Sequence, residues 1–329
     1  WVVGKDVPTL EEAVEKAKAG DIIELPEGEY CLPKPLVAKK SLTLRGAGAD
    51  KSKVQCEAEG WVLRLEGKGR WKLEGLTLEH VGRSWANVVV VEGGELAMVG
   101  CVCRGGVRRE ANKRDGVGLG WKGQSKGVVR ESEFVGNEIG IRVSDESQPK
   151  LEGNRCGENQ SCGIAYFVRS GGVARNNTCL KNDGHGIQVA GESQPVLEGN
   201  RCGENQEKGI AYFGRSGGVA RNNTCQKNGK DGIWVSDESQ PVLEGNQCVE
   251  NQESGIEYWD RSGGSARNNT CLKNGKDGIY VSGKSQPVLE GNRCDNNGEY
   301  GIYVAASARP KIGRNSASGN KEGDIYRAR

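Results

Sequence analysis

Two histidines, His80 and His185, are all the imidazole this 329-residue chain carries, and carboxyl, amine and phenol groups can also move protons. His80 opens the densest mixed stretch. With Arg83, Trp85, Arg108, Arg109, Glu110, Arg114 and Asp115 it gathers cations, an aromatic ring and carboxyls in an irregular region, of which 105–116 has no strand pattern. There, a basic residue could hold an anionic group while a second group moves a proton. His80, Arg108, Arg109, Glu110, Arg114 and Asp115 are the candidates if the chain is an enzyme; the plainer expectation is a lateral loop of surface charge. His185 lies in a Gly-rich turn with Lys208 and Asp231 at the matching places farther on, and reads as a solvated turn residue. Trp234, Tyr280 and Tyr303 each follow a Gly-Ile pair and would form an exposed aromatic strip, able to stack on sugar rings or anchor a protein partner.

Seven of the twelve cysteines (Cys156, Cys179, Cys202, Cys225, Cys248, Cys271 and Cys294) recur every 23 residues. That spacing describes a row of equivalent positions rather than disulfide pairs. Only Cys101-Val-Cys103 approaches a zinc-like spacing, so neither a metal nor a cofactor is expected. Lys and Arg number 46 against 44 Asp and Glu, a balance that argues against nucleic-acid or membrane surfaces. The reduced thiol row favours a cytoplasmic location. No signal peptide is visible, although a chain opening at Trp1 without Met leaves room for a removed upstream segment.

The elements that must position these residues follow from the same period. Gly-Ile starts at 140, 163, 186, 209, 232, 255, 278 and 301, and two Asn rows run from 154 and from 159 at steps of 23. Each coil then holds three short strands, around Gly-Ile-x-Val, Pro-Val-Leu-Glu and Cys, with Asn turns stacking from coil to coil about 4.8 Å apart. Hydrophobic residues are only 35% and Gly is 51 of 329, which suits a narrow repeat interior. We expect one all-β domain over 1–329: a cap over 1–20 with a helix near 9–19, irregular coils over 21–130 with a loop near 105–116, and regular coils over 131–326. Asn-Asn-Thr at 176, 222 and 268 matches a glycosylation pattern but falls in the Asn rows and reads as structural.

The true period is two coils. Ser-Gln-Pro-Val-Leu-Glu-Gly-Asn alternates with Ser-Gly-Gly-Val-Ala-Arg-Asn-Asn, so rows such as Arg175, Glu198, Arg221, Glu244 alternate in sign. A one-coil repeat would stack like charges one strand spacing apart. Volume alternates too: coils with Tyr166, Tyr212 or Tyr258 carry Ala174, Ala220 or Ala266, and coils with Val189, Val235 or Val281 carry Leu197, Leu243 or Leu289.

These motifs resemble the pectin-lyase-like right-handed parallel β-helix proteins, in particular the parallel-β-helix-repeat group. The opening Thr-Leu-x-x-Ala-Val and Gly-Asp-x-Ile-x-Leu-x-x-Gly-x-Tyr are similar to that superfamily's N-terminal cap and first coil. The resemblance implies a right-handed three-sided parallel β-helix. It leaves function wide, spanning polysaccharide lyases, hydrolases, epimerases, tailspikes, adhesins and non-catalytic modules. An enzyme of this kind should carry clustered carboxylates that break the ladders, and the sequence reads as having none; the Asp-Pro-His-Asp motif of alginate epimerases is also absent. The leading expectation is a non-catalytic scaffold presenting a face to a glycan or protein partner. The alternatives are a polysaccharide lyase, epimerase or glycoside hydrolase using the irregular N-terminal coils, and a self-associating protein that stacks end to end through its C-terminal coil.

Overall fold

A computed structural model describes residues 1–109, 111 and 114–329. The chain divides into two units, Trp1–Gly163 and Ile164–Arg329, and within each every strand pairs in parallel with the strand three places along the sequence. Each unit is therefore a three-sided stack of coils. Because a three-residue strand alternates its side chains, its central residue or its two ends point inward. In the coil of Ile233–Val235, Val242–Glu244 and Gln247–Val249, the inward residues are Ile233, Val235, Leu243 and Cys248, all fully buried.

The first unit starts with helix α1 (Leu10–Lys16), capped as its sequence suggests by Thr9 Oγ1 accepting from Glu12 N at 3.2 Å, with Leu10, Ala13 and Val14 buried. Its coils vary in length. Lys126 pairs with Gln148, 22 residues on, while Glu95 pairs with Lys126, 31 residues on. Within the long coil the described residues form two isolated antiparallel bridges. Val107 bridges Ala86 in antiparallel fashion, and Arg109 bridges Arg114. Glu110, a sequence candidate, lies outside the described residues.

In the second unit the Asn rows carry most of the buried polar chemistry. Asn228 donates from its backbone N to Asn251 Oδ1 at 3.2 Å, and from Nδ2 to Asn251 Oδ1 at 2.8 Å and Cys202 O at 3.2 Å. Its own Oδ1 accepts from the backbone and side chain of Asn205 at 3.2 and 3.0 Å. Every polar atom of the amide is thus satisfied by the coils above and below, which is why so polar a residue can be buried. The cysteines stack likewise, Cys225 over Cys248 over Cys271, as free thiols; burial pushes Cys103 and Cys248 up, keeping them protonated.

The two-coil alternation is present. Tyr212 stacks on Val235 while Ala220 stacks on Leu243, all fully buried, so a large residue always meets a small one. Glu198 sits between Arg175 at 2.8 Å and Arg221 at 3.1 Å, and Arg261 pairs with Glu238 at 2.8 Å. The alternation stops at Lys284, which follows Arg261 with the same sign. A second correction concerns Asn176, Asn222 and Asn268. They are exposed, with φ of 54, 54 and 53°, alternating with Gly199, Gly245 and Gly291 at a turn that needs a left-handed residue. The buried rows begin one residue later.

If the Asn rows carry the stability, Asn228→Ala should lower the unfolding free energy by about 3 kcal/mol, since several buried partners lose their bonds. Glu238→Ala, on an exposed charge row, should cost under about 1 kcal/mol. Denaturant titration of both variants checks the ordering.

Candidate functional site

On the outer face of the Gly-Ile sheet in the second unit, the residues after each Ile lie in register: Gln188, Ala211, Trp234, Glu257, Tyr280, Tyr303 and Tyr326. Beside them runs the row before each Gly: His185, Lys208, Asp231, Ser254, Asp277 and Tyr300. Neither row keeps the regularity of the rest of the repeat. Within the second row every other side chain accepts from the backbone of the next coil: His185 Nδ1 from Lys208 N at 3.4 Å, Asp231 Oδ1 from Ser254 N at 3.0 Å and Asp277 Oδ1 from Tyr300 N at 2.9 Å. This anchoring holds the carboxyls rigidly against the sheet.

Stacking brings Asp231, Glu253 and Glu257 together, with one oxygen of each within 4.8 Å of the others. Asp231 is buried; the two glutamates are half-buried. Burial, then the adjacent Asp231 charge, pushes the Glu257 carboxyl up to about 8, and burial raises Asp231 to about 6. Of the two, Glu257 keeps its proton to the higher pH, as expected where two close carboxyls resist ionising together. Burial also raises Asp277, one coil on, to about 7. A trio this tight could hold a divalent cation, but Lys276 Nζ lies 3.4 Å from Glu253 and the Lys208 charge acts on both Asp231 and Glu257. The countercharge is already supplied by lysine.

Aromatic groups flank the carboxyls on both sides. Lys208 Nζ sits 4.6 Å from the Trp234 ring centroid, with its side chain 12% exposed. Phe213 bridges Trp234 and His185 at ring separations of 4.9 and 5.6 Å. His185 is therefore packed rather than solvated, contrary to the sequence expectation. Burial, then Lys208, lowers its imidazole to about 4, so it is neutral at ordinary pH. On the other side Tyr280 stacks on Tyr303 at 5.2 Å, and Tyr326 lies 5.4 Å from Tyr303 and 5.0 Å from Tyr300. Trp234, Tyr280 and Tyr303 do share one face, but half-buried and interrupted by Glu257.

The N-terminal candidates are placed differently. His80 is buried in the interior opposite Cys56, with neither ring nitrogen hydrogen-bonded. Arg108 pairs with Glu138 at 3.1 Å, and Arg109 with Glu59 at 2.7 Å. Arg114 covers the Trp85 ring at 5.1 Å, and Asp115 pairs with Arg142. A cavity of about 460 Å³ does open there, lined by Trp85, Arg114, Asp115, Lys122 and Arg142 among others. Asp115 is its one carboxylate among the described lining residues, and it is neutralised. A concavity of about 680 Å³ elsewhere is lined by Arg215, Glu238, Arg261 and Lys284, which belong to the repeating charge row.

A family model described as "right handed beta helix region" matches residues 89–240 and 209–328. The chain belongs to the right-handed β-helix family. Among solved structures, this β-helix is similar to the A-module of a mannuronan C-5 epimerase from Azotobacter vinelandii, with a TM-score of 0.73 and 16% identity over 97% of this chain and 93% of that one. It is also similar to a periplasmic alginate epimerase, with a TM-score of 0.70 and 16% identity over 96% and 83%. A third is the catalytic unit of an α-1,3-glucanase from Streptomyces thermodiastaticus, with a TM-score of 0.68 and 15% identity over 95% and 66%. At these identities the likeness is one of fold. No curated protein matches the sequence.

The carboxylate cluster contradicts the reading that no such group breaks the ladders of this β-helix. Asp231 and Glu257 are 26 residues apart in sequence and meet only because adjacent coils stack. The available signal was Glu257 itself, where the same position two coils earlier is Ala211. Because folding raises the Glu257 carboxyl, the folded chain binds more protons than the unfolded one from the ordinary carboxylate range up to about pH 8. Stability therefore falls as pH rises through that window. Glu257→Gln should raise the melting temperature above about pH 8, by roughly 2–4 °C, and leave it unchanged in acid where the wild-type carboxyl is protonated. Melting curves across this range check the sign.

Proposed function

We propose that the chain is a carbohydrate-active enzyme of the glycoside hydrolase type. The observation that carries this reading is the meeting of Asp231, Glu253 and Glu257, one oxygen of each within 4.8 Å of the others, on a face where Glu257 lies between Trp234 and Tyr280. Burial holds the Glu257 proton to a higher pH than that of Asp231, which sets a proton donor beside a proton acceptor. Glu257 donates its proton to the glycosidic oxygen as the bond to the anomeric carbon breaks. The positive charge developing on the sugar faces Asp231 and Glu253. A carboxylate then takes a proton from the attacking water, which restores the starting state. Trp234 and the Tyr280–Tyr303 pair offer flat apolar faces to the sugars on either side.

Proteins of like fold whose names denote action on glycans, two epimerases and a glucanase, support this class of activity. They favour it over a scaffold that only presents a face. The site differs from the one expected in the irregular coils, where the ionic groups are already paired. Neutral His185 beside Lys208 would suit proton abstraction in a lyase or epimerase, and product analysis separates these outcomes.

Incubation with a polysaccharide panel should release new reducing ends without unsaturated sugars. Glu257→Gln and Asp231→Asn should each lower kcat by about 10²–10⁴-fold, and activity should survive chelation of divalent ions. Wild-type rates in both variants, or no product from any glycan, would overturn the assignment. A strict calcium requirement would make the trio a cation site instead.

A further inference from the structure

We infer that the glycan taken by this face is neutral, a polymer of uncharged sugars rather than a polyuronate or a sulfated chain. This rests on the glycan-processing reading of the same face, and adds to it the charge of the substrate.

The argument begins with which cations are available. A chain with one carboxylate per sugar needs a cation at nearly every subsite, and arginine meets a carboxylate best because its planar fork donates two parallel hydrogen bonds. Neither row on this face carries an arginine between His185 and Tyr326. The nearby lysines are already engaged. Lys230 pairs with Glu207 at 2.7 Å and Lys276 with Glu253 at 3.4 Å, while Lys208 lies 3.6 Å from Glu207 and is pinned over Trp234.

The anions point the same way. Asp231, Glu253, Glu257 and Asp277 lie on or beside the row between Trp234 and Tyr280. A ligand carboxylate set among them would press against whichever of these carboxyls is ionised, in a site half removed from water where such repulsion is poorly screened. Beyond them the face turns aromatic, with Tyr280, Tyr300, Tyr303 and Tyr326 in mutual ring contact. Stacked phenols offer apolar surface to the C–H faces of sugar rings and hydroxyls to their hydroxyl groups, and supply no positive charge.

The test compares soluble neutral glucans of several linkages with alginate, pectate and a sulfated glycan, scoring both turnover by the wild type and binding by Glu257→Gln. A neutral glucan should be preferred over every polyanion by about a hundredfold in kcat/KM. Binding should change little with added salt, since few charges pair across the interface. Tyr303→Ala should raise KM for the neutral chain about three- to tenfold with kcat nearly unchanged. Comparable turnover or tighter binding of a polyuronate, weakened by salt, would overturn the inference while leaving the enzyme reading intact. If nothing is turned over, that reading fails, and the binding comparison still decides the charge of the ligand.

Discussion

Each residue in this stack has, as its nearest neighbours above and below, the residues one coil away at a single β-ladder spacing. Everything regular in the sequence answers to that constraint. A side chain that can bond to its own copy, such as Asn with both a donor and an acceptor, may repeat in every coil, and it does so in two buried rows. A side chain that repels its own copy cannot. Glu and Arg therefore alternate, as at Arg175, Glu198 and Arg221, and the same two-coil rhythm lets Tyr212 lie on Val235. The 46-residue unit is the shortest repeat in which charge and volume are both compatible with stacking.

Against that background, Asp231 and Glu257 stand out because they break the charge rule in adjacent coils. Burial raises both carboxyls and the Asp231 charge raises Glu257 further, and groups perturbed in this way suit acid–base chemistry. Such a departure is destabilising locally. It is tolerated because the rows on the other sides of the coil, Asn and Cys, continue without a gap through the same coils. The fold thus separates its tasks by position around the coil: internal rows hold the stack, and one outer face is free to vary.

The period and the buried rows of the regular coils were legible in the sequence, because both are one-dimensional signals. The Thr9 cap, the buried cysteines and the Tyr–Val and Ala–Leu complementarity follow the same logic. The site was less legible. Trp234, Tyr280 and Tyr303 stood out because they depart from a row. The carboxylate trio did not, since Glu253 comes from the turn position and Asp231 and Glu257 from two different rows, which only the three-dimensional coil brings within 4.8 Å. His185 was misjudged for a related reason: the Gly-rich turn around it is open, but Phe213, from the following coil, folds its ring against it. Conversely, His80 and the arginines of the long coil look reactive by composition, yet packing and ion pairing consume them.

The central claim is that the regular rows build the stack and the irregular outer face does the chemistry. The most direct measurement regularises that face, replacing Asp231, Trp234 and Glu257 with the residues found at the same places two coils earlier (Asp231→His, Trp234→Gln, Glu257→Ala). The account predicts unchanged circular dichroism and a melting temperature at or above that of the wild type, with glycan binding and cleavage both abolished. A variant that unfolds, or one that folds and still processes glycans at the wild-type rate, would contradict it.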